Sequence, residues 1–129
     1  MQKLIKEEPF VDVILPNYNK AEFLEEAINS VITQTYKNWH LYIVDDHSND
    51  GSRDLVLKYK DKIDNLILHD KNLGKGAAIR SAQKYIEGKF TIIQDADLEY
   101  DPNDYFSLLK YIETNKLKIL YGSRVLEHN

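Results

Sequence analysis

Five carboxylates lie close together in the second half of the chain, in a segment without lysine or arginine: Asp95, Asp97, Glu99, Asp101 and Asp104. Asp101 and Asp104 suit the start of a helix, where negative charge is favourable, so the other three are candidates for function. Carboxylate oxygens favour Mg²⁺ or Mn²⁺, whose shells are completed by substrate phosphates and water. The segment predicts a metal-assisted diphosphate site, although Asp-x-Asp after a strand is also a common turn.

A phosphate group needs a counter-charge, and four basic residues are candidates for it: Lys71, Lys75, Arg80 and Arg124. Lys75 lies in a glycine-flanked loop before a helix, where backbone N–H groups also attract anions. Arg124 follows the last apolar run and suits bidentate pairing with a phosphate. For each of them taken singly, a solvated surface role is the alternative.

Two further groups of polar or aromatic residues follow predicted strands. Tyr18 stands in a Pro-Asn-Tyr-Asn turn, where its ring can stack on a nucleobase; packing is the alternative in a chain with nine tyrosines. The pair Asp45 and Asp46 follows the second strand. One of the two is expected to cap the next helix, and the other to accept a hydrogen bond from a nucleobase or ribose.

Composition and spacing argue against several classes of protein. The formal net charge of −4 disfavours a nucleic-acid binder. The absence of cysteine removes disulfides and thiolate sites and is compatible with a reducing cytosol. The four histidines lack zinc-site spacing, and there is no Gly-x-Ser-x-Gly hydrolase motif. No apolar run approaches the roughly 18 residues of a membrane span, and the N-terminus is too polar for a signal peptide.

Hydrophobic periodicity predicts alternating strands and helices in one domain of 129 residues. Short apolar runs predict strands at residues 10–15, 39–44, 64–69, 90–94 and 117–121. Helical spacing predicts four intervening helices, with Asn19 and Asp101 as N-caps and Gly88 as a C-cap. Ile93 is expected to be buried in a central strand.

This alternation predicts an α/β fold, a Rossmann-like, doubly wound and mostly parallel sheet, because right-handed crossovers pack helices on the sheet. Ligands of such sheets bind at the carboxyl ends of the strands, where the strand order reverses. The polar residues described above follow strands at that edge. A response-regulator receiver domain or a haloacid-dehalogenase-type phosphatase would instead need its acidic pair after the first strand.

Four segments together resemble a known family: VDVILPNYNKAEFLEEAINSVITQTYKNWHLYIVDDHSNDGS, NLGKGAAIR, IIQDADLEYDPNDY and YGSR. In order and spacing they resemble the nucleotide-sugar-binding half of glycosyltransferase family 2, which has the GT-A fold. The second and third segments are most similar to dolichyl- or polyprenyl-phosphate mannosyl- and glucosyltransferases. The resemblance covers nearly the whole chain.

The resemblance implies roles for individual residues. The nucleoside pocket would be lined by Pro16, Tyr18, Val44 and Asp46. The ribose and diphosphate would be met by Asp95, Ala96 and Asp97. Asp97 and Glu99 would hold the metal, and Arg124 would contact a phosphate of donor or acceptor. Lys20 departs from the family, which commonly has an acidic residue there.

The implied activity is inverting transfer of a hexose from a UDP- or GDP-sugar to a polyprenyl or dolichyl phosphate, with Mg²⁺ or Mn²⁺. Alternatives are transfer to a saccharide hydroxyl and a non-catalytic or partner-dependent module that binds the nucleotide sugar. Family members continue for about a hundred further residues on the acceptor side, so the chain is expected to be a donor-binding part. A cytoplasmic location, including the cytoplasmic face of a membrane, is expected.

Overall fold

A parallel sheet organises the protein in the computed structural model, which describes residues 8–98 and 101–120. Its strands are β1 (Val11–Asn17), β2 (Trp39–Asp45), β3 (Asn65–Leu68) and β4 (Phe90–Ile93). The helices are α1 (Ala21–Thr33), α2 (Ser52–Lys58), α3 (Lys75–Gln83) and α4 (Tyr105–Thr114). Short 3₁₀ turns lie at Lys60–Lys62 and Pro102–Asp104.

The strand order is β3-β2-β1-β4, and every described pair is parallel. Val11 of β1 is in register with Trp39 of β2 and Phe90 of β4. The chain moves outward from β1 to β3 and then returns through α3 to the other side of β1. The order therefore reverses between β1 and β4, which confirms the doubly wound α/β fold.

Helices cover both faces of this sheet. On one face, side chains of α1, α2 and α4 pack with alternate residues of β1, namely Val11, Val13 and Leu15. On the other face, α3 places Ala78 and Ala82 against the remaining side chains of the central strands. Strand β1 is buried along its whole length, as expected for the middle of a sheet covered on both sides.

The predicted fifth strand does not form in its described part, residues 117–120. Helix α4 ends in a Schellman-type turn, in which Lys116 has a φ of 52° and Leu117 N–H donates to Ile112 O at 2.9 Å. This turn uses the first residue of the predicted strand. Ile119 is 68% exposed and pairs with no strand of the described sheet.

Three other expectations are corrected. Ile93 is 42% exposed rather than buried, because β4 lies at the edge of the described sheet. Asn19 is not the N-cap of α1: it adopts a φ of 52°, and Lys20 occupies the cap position. Gly88 does not end α3, which stops at Gln83.

Asp101 and Pro102 start the last helical segment as predicted, but that segment begins as a 3₁₀ turn before α4. Asp101 accepts a hydrogen bond from Asn103 N–H at 2.9 Å, and Pro102 is the first residue of a 3₁₀ turn that leads into α4. Within residues 8–98 and 101–120, no helix has the length and apolarity needed to cross a membrane.

Candidate functional site

A cleft of about 440 Å³ opens at the carboxyl ends of β1, β2 and β4, where the strand order reverses. Its walls come from the end of β1, from the loops after these strands and from the β3–α3 loop with the start of α3. The lining residues are Pro16, Asn17, Tyr18, Lys20, Asp46, Asn72, Gly74, Lys75, Ala78, Asp95, Ala96 and Asp97. The sheet topology therefore brings residues from distant parts of the sequence to one place.

Asp45 ties the loop after β1 to the loop after β2. Its buried Oδ1 accepts hydrogen bonds from Asn17 Nδ2 at 2.9 Å and Ser48 Oγ at 2.6 Å. Its Oδ2 accepts from Ser48 N–H at 3.0 Å and Arg53 Nε at 2.9 Å. Burial opposes the charge, but these hydrogen bonds outweigh it and hold the pKa of Asp45 below its ordinary value.

Asp46 faces the loop between β3 and α3. Its Oδ1 accepts from Leu73 N–H and lies against His69 Nδ1, both at 2.8 Å, and its Oδ2 accepts from Gly74 N–H at 2.8 Å. Burial again opposes the charge, and the bonds from His69, Leu73 and Gly74 lower the pKa of Asp46 despite it. Asp46 is thus an anion that fixes the start of α3.

Neither Asp45 nor Asp46 caps α2: its N-cap residue is Gly51, and the preceding Asp50 binds the first backbone N–H of the helix. Its Oδ1 accepts from Ser52 N–H at 3.0 Å and from the Ser52 hydroxyl, and its Oδ2 accepts from Ala21 N–H at 2.9 Å. It therefore joins the first residues of α1 and α2. Burial opposes its charge as well, and the hydrogen bonds keep the pKa of Asp50 below its ordinary value.

The two sides of the cleft are joined by an ion pair. Gly74 has φ 92° and ψ 164°, a conformation that residues with a Cβ rarely adopt, and α3 begins immediately after it. Lys75 is the first helical residue, and its Nζ lies 2.6 Å from Asp95 Oδ1. The side chains of Lys75 and Asp95 are 56% and 22% exposed, so water reaches the pair.

The aromatic wall of the cleft belongs to the loop after β1. Tyr18 is 47% exposed beside Pro16. The next residue, Asn19, is held by two hydrogen bonds: its N–H donates to Ser48 Oγ at 3.0 Å and its Oδ1 accepts from Asn49 N–H at 2.9 Å. The loop that carries the exposed ring is therefore fixed on the protein.

The chain matches the sequence profile described as glycosyl transferase family 2 over residues 12–128. It belongs to glycosyltransferase family 2. It is 31% identical over 119 residues to the UDP-Glc:alpha-D-GlcNAc-diphosphoundecaprenol beta-1,3-glucosyltransferase WfgD of Escherichia coli, covering 92% of this chain and 47% of that protein.

It is also 32% identical over 139 residues to the dolichyl-phosphate beta-glucosyltransferase ALG5D of Trichomonas vaginalis, covering 96% of this chain and 42% of the relative. The mannosyltransferase PcManGT of Pyrobaculum calidifontis, solved with GDP-Man and Mn²⁺, superposes with a TM-score of 0.74 at 26% identity, over 83% of this chain and 33% of that one. The GT-A fold is thereby confirmed. The chain spans about half the length of these curated relatives.

Most of the site residues proposed for this family 2 member from sequence meet in the cleft: Pro16, Tyr18, Asp46, Lys75, Asp95, Ala96 and Asp97. Val44 does not: its side chain is fully buried against Ala78 and Ala82 of α3, because it points to the face of the sheet that this helix covers. Glu99 and Arg124 lie outside the described residues, so their roles stay predictions. Within the described ranges, no three acidic or histidine side chains form a ready metal cluster.

Several cleft and support residues were missed from the sequence: Asn17, Asn72, Gly74 and His69. Asn17 is the last residue of β1, and its position beside the proposed Tyr18 is a usable signal. Gly74 belongs to the glycine-flanked loop already noted for Lys75. His69 carried no usable signal, because its partner Asp46 is 23 residues away in sequence.

Proposed function

We propose that this chain is the donor-binding part of a family 2 glycosyltransferase that moves a hexose, with inversion, from a UDP- or GDP-sugar to a polyprenyl or dolichyl phosphate. The observation that carries the proposal is the pairing of Lys75 with Asp95 across a cleft that also holds Asp97, Asp46 and Tyr18. Positive charge, carboxylates and an exposed ring are what a nucleoside diphosphate requires.

The nucleoside would occupy the end of the cleft formed by the loops after β1 and β2. There Tyr18 presents its ring for stacking beside Pro16. Asp46 has its Oδ1 engaged by His69 and Leu73, whereas its Oδ2 receives one described hydrogen bond, from Gly74, which leaves an acceptor position for a ligand N–H or O–H. Ribose and diphosphate would then lie toward Asp95, Ala96 and Asp97.

The carboxylates at this end of the cleft fit a hard divalent cation. Asp97 lines the cleft and would hold Mg²⁺ or Mn²⁺ together with Glu99, the remaining positions being taken by donor phosphates and water. When bound, such an ion would supply charge neutralisation to the departing nucleoside diphosphate. Arg124 would add a contact to a phosphate of donor or acceptor. The structural neighbour PcManGT, solved in complex with Mn²⁺, supports this assignment.

Lys75 would change partners when the donor arrives. A solvent-exposed ion pair such as Lys75–Asp95 contributes at most about 1 kcal/mol, so it opens at low cost. A diphosphate carries more negative charge than one carboxylate and offers the ammonium several acceptor oxygens. Transfer of the Lys75 ammonium from Asp95 to the diphosphate would free the Asp95 oxygen for the ligand.

The acceptor proposal follows from the dolichyl-phosphate relative. A phosphate monoester is largely ionised at pH 7, because its second pKa is about 6, so it attacks without a strong general base. A bilayer-anchored acceptor would place the reaction at a membrane surface, and we propose the cytoplasmic face.

The WfgD relative, whose name gives a diphosphoundecaprenol-linked sugar acceptor, supports the alternative of a saccharide hydroxyl. The third candidate is a module that binds the nucleotide sugar without turnover.

Calorimetric titration with UDP-glucose and GDP-mannose, with and without Mn²⁺, tests the proposal. One donor should bind with Mn²⁺, and Asp97→Asn should remove the gain from Mn²⁺. Asp104→Asn is the matched control, because this exposed carboxylate at the start of α4 lies outside the cleft. Binding of neither donor would reject the function, and an unchanged Mn²⁺ gain in Asp97→Asn would reject the metal assignment.

Transfer to polyprenyl phosphate and to a diphosphoundecaprenol-linked sugar, measured in parallel with the same donor, separates the acceptor candidates. Turnover with the first supports the lipid-phosphate proposal. Turnover with the second alone supports the saccharide alternative. Donor binding without turnover on either supports the donor-binding module.

A further inference from the structure

A buried chain of hydrogen-bonding groups runs from the cleft into α3. His69 is 7% exposed and follows β3 directly. Its Nδ1 lies 2.8 Å from Asp46 Oδ1, and its Nε2 lies 2.7 Å from Ser81 Oγ. The backbone of His69 is fixed as well, since its N–H donates to Asp45 O at 2.9 Å and its carbonyl accepts from Arg53 Nη2. Both ring nitrogens are therefore held in one orientation.

The partners decide where the protons lie. Asp46 is ionised and can only accept, so Nδ1 of His69 carries the hydrogen and donates it. In a neutral ring Nε2 accepts from the Ser81 hydroxyl, and in a protonated ring it donates to the Ser81 oxygen. In both forms Nδ1–H donates to the Asp46 carboxylate.

The same three residue types form the catalytic triad of serine hydrolases, but the surroundings do not support that chemistry here. Ser81 lies within α3, whose backbone N–H groups serve the helix and are not oxyanion donors. Ser81 is also absent from the residues that line the cleft, whereas Asp46 is among them. The end of the chain that meets a ligand is the carboxylate.

We infer that His69 is a positioning residue for donor binding, an inference that rests on the proposed function. The imidazole N–H adds a second hydrogen bond to Oδ1 of Asp46 and so strengthens the orientation in which the open acceptor position lies on Oδ2. The same carboxylate receives Leu73 N–H and Gly74 N–H, which set the start of α3. Loss of the His69 bond leaves the Asp46 carboxylate held only by these two backbone amides, which weakens both the nucleoside contact and the loop before Lys75.

A double-mutant cycle on nucleotide affinity tests whether His69 acts through Asp46. Kd values for UDP and for GDP are measured for the wild type, His69→Leu, Asp46→Ala and the double variant. His69→Leu should raise the Kd of the bound nucleotide about tenfold, the scale of one hydrogen bond to a charged group. In the Asp46→Ala background, the same change should add less than about twofold, because the group it positions is gone. His69→Asn, whose amide N–H replaces Nδ1–H, should restore affinity to within about threefold of wild type.

An additive cycle, or a His69→Asn protein as weak as His69→Leu, would overturn the inference. A general structural role would produce that additivity. Thermal melting of each variant checks that it is folded. Wild-type protein that binds neither UDP nor GDP would reject the proposed function instead.

A second measurement needs no ligand and tests the contact between His69 and Asp46 directly; its wild-type part does not depend on whether His69→Leu folds. Nitrogen-15 NMR of the wild-type imidazole should show hydrogen on Nδ1, and amide exchange at Leu73 and Gly74 should be faster in His69→Leu than in His69→Asn. A ring with hydrogen on Nε2 alone would contradict the assignment of donors that the inference requires.

Discussion

Asp45→Asn removes the charge that joins the two loops beside the cleft while keeping the size of the side chain. If the Asn oxygen keeps the bonds from Asn17 and the Ser48 hydroxyl, its NH₂ replaces Oδ2 and faces two donors, Ser48 N–H and Arg53 Nε. Two hydrogen bonds to a carboxylate are lost, each worth about 1.5–3 kcal/mol. Arg53 is 32% exposed and regains water, which places the expected loss near the lower end, at about 3 kcal/mol.

Urea denaturation followed by circular dichroism measures this loss. We expect a lower midpoint with an unchanged m-value, and a melting temperature lower by roughly 10 °C. Asp61→Asn is the control, since that carboxylate is exposed in the 3₁₀ turn after α2, and its change should stay within about 0.5 kcal/mol. A loss for Asp45→Asn as small as that of the control would refute the role assigned to Asp45.

The pH dependence adds a signed test of the same reasoning. Hydrogen bonds hold the pKa values of Asp45, Asp46 and Asp50 below their ordinary value in the folded protein. As acid is added, the unfolded chain therefore binds protons before the folded protein does. The stability that the three ionised carboxylates contribute is complete above about pH 4 and is lost as the pH falls through their folded pKa values. The urea midpoint should decline below about pH 4, and the decline should be shallower in Asp45→Asn. An equally steep decline of the midpoint in the wild type and in Asp45→Asn would contradict the low pKa of Asp45.

Three substitutions test local backbone geometry by thermal melting. Gly88→Ala should destabilise the protein by about 2 kcal/mol or more, because the new Cβ would lie 2.6 Å from Phe10 O and 2.9 Å from Asp12 Oδ2. Gly76→Ala should be neutral or stabilise α3 by up to about 1 kcal/mol, since its Cβ meets only the flexible end of Arg80 at 3.3 Å. Equal shifts for the two would show that the close approach at Gly88 is wrong. Lys116→Gly should stabilise by about 0.5–1 kcal/mol, because its φ of 52° suits glycine, and a loss of stability would contradict the turn after α4.

Patterns that depend on local spacing were predictable from the sequence. The four described strands lie within the predicted ranges or differ from them by a few residues at the ends, and the cleft lies at the predicted edge of the sheet. This worked because buried parallel strands give apolar runs and because residues after strands share one edge.

Features that depend on pairs distant in sequence were not predictable. Gly88 is needed because Phe10 and Asp12 approach its backbone, and Asp12 Oδ2 accepts from Gly88 N–H at 2.5 Å and Glu87 N–H at 2.9 Å. From sequence alone, the same glycine looked like the end of α3. The predicted burial of Ile93 was wrong for a related reason, since an apolar run does not reveal whether its strand lies in the centre or at the edge of a sheet.

The two adjacent aspartates after β2 show how one short motif positions a whole cleft. Successive side chains of an extended segment point in opposite directions, so Asp45 turns toward Asn17 and Arg53 while Asp46 turns toward His69 and the start of α3. The loop with the exposed Tyr18 and the loop before Lys75 are therefore fixed by neighbouring residues at the end of one strand. Substitution of either aspartate should weaken donor binding through a different loop, and only the Asp46 effect should depend on His69.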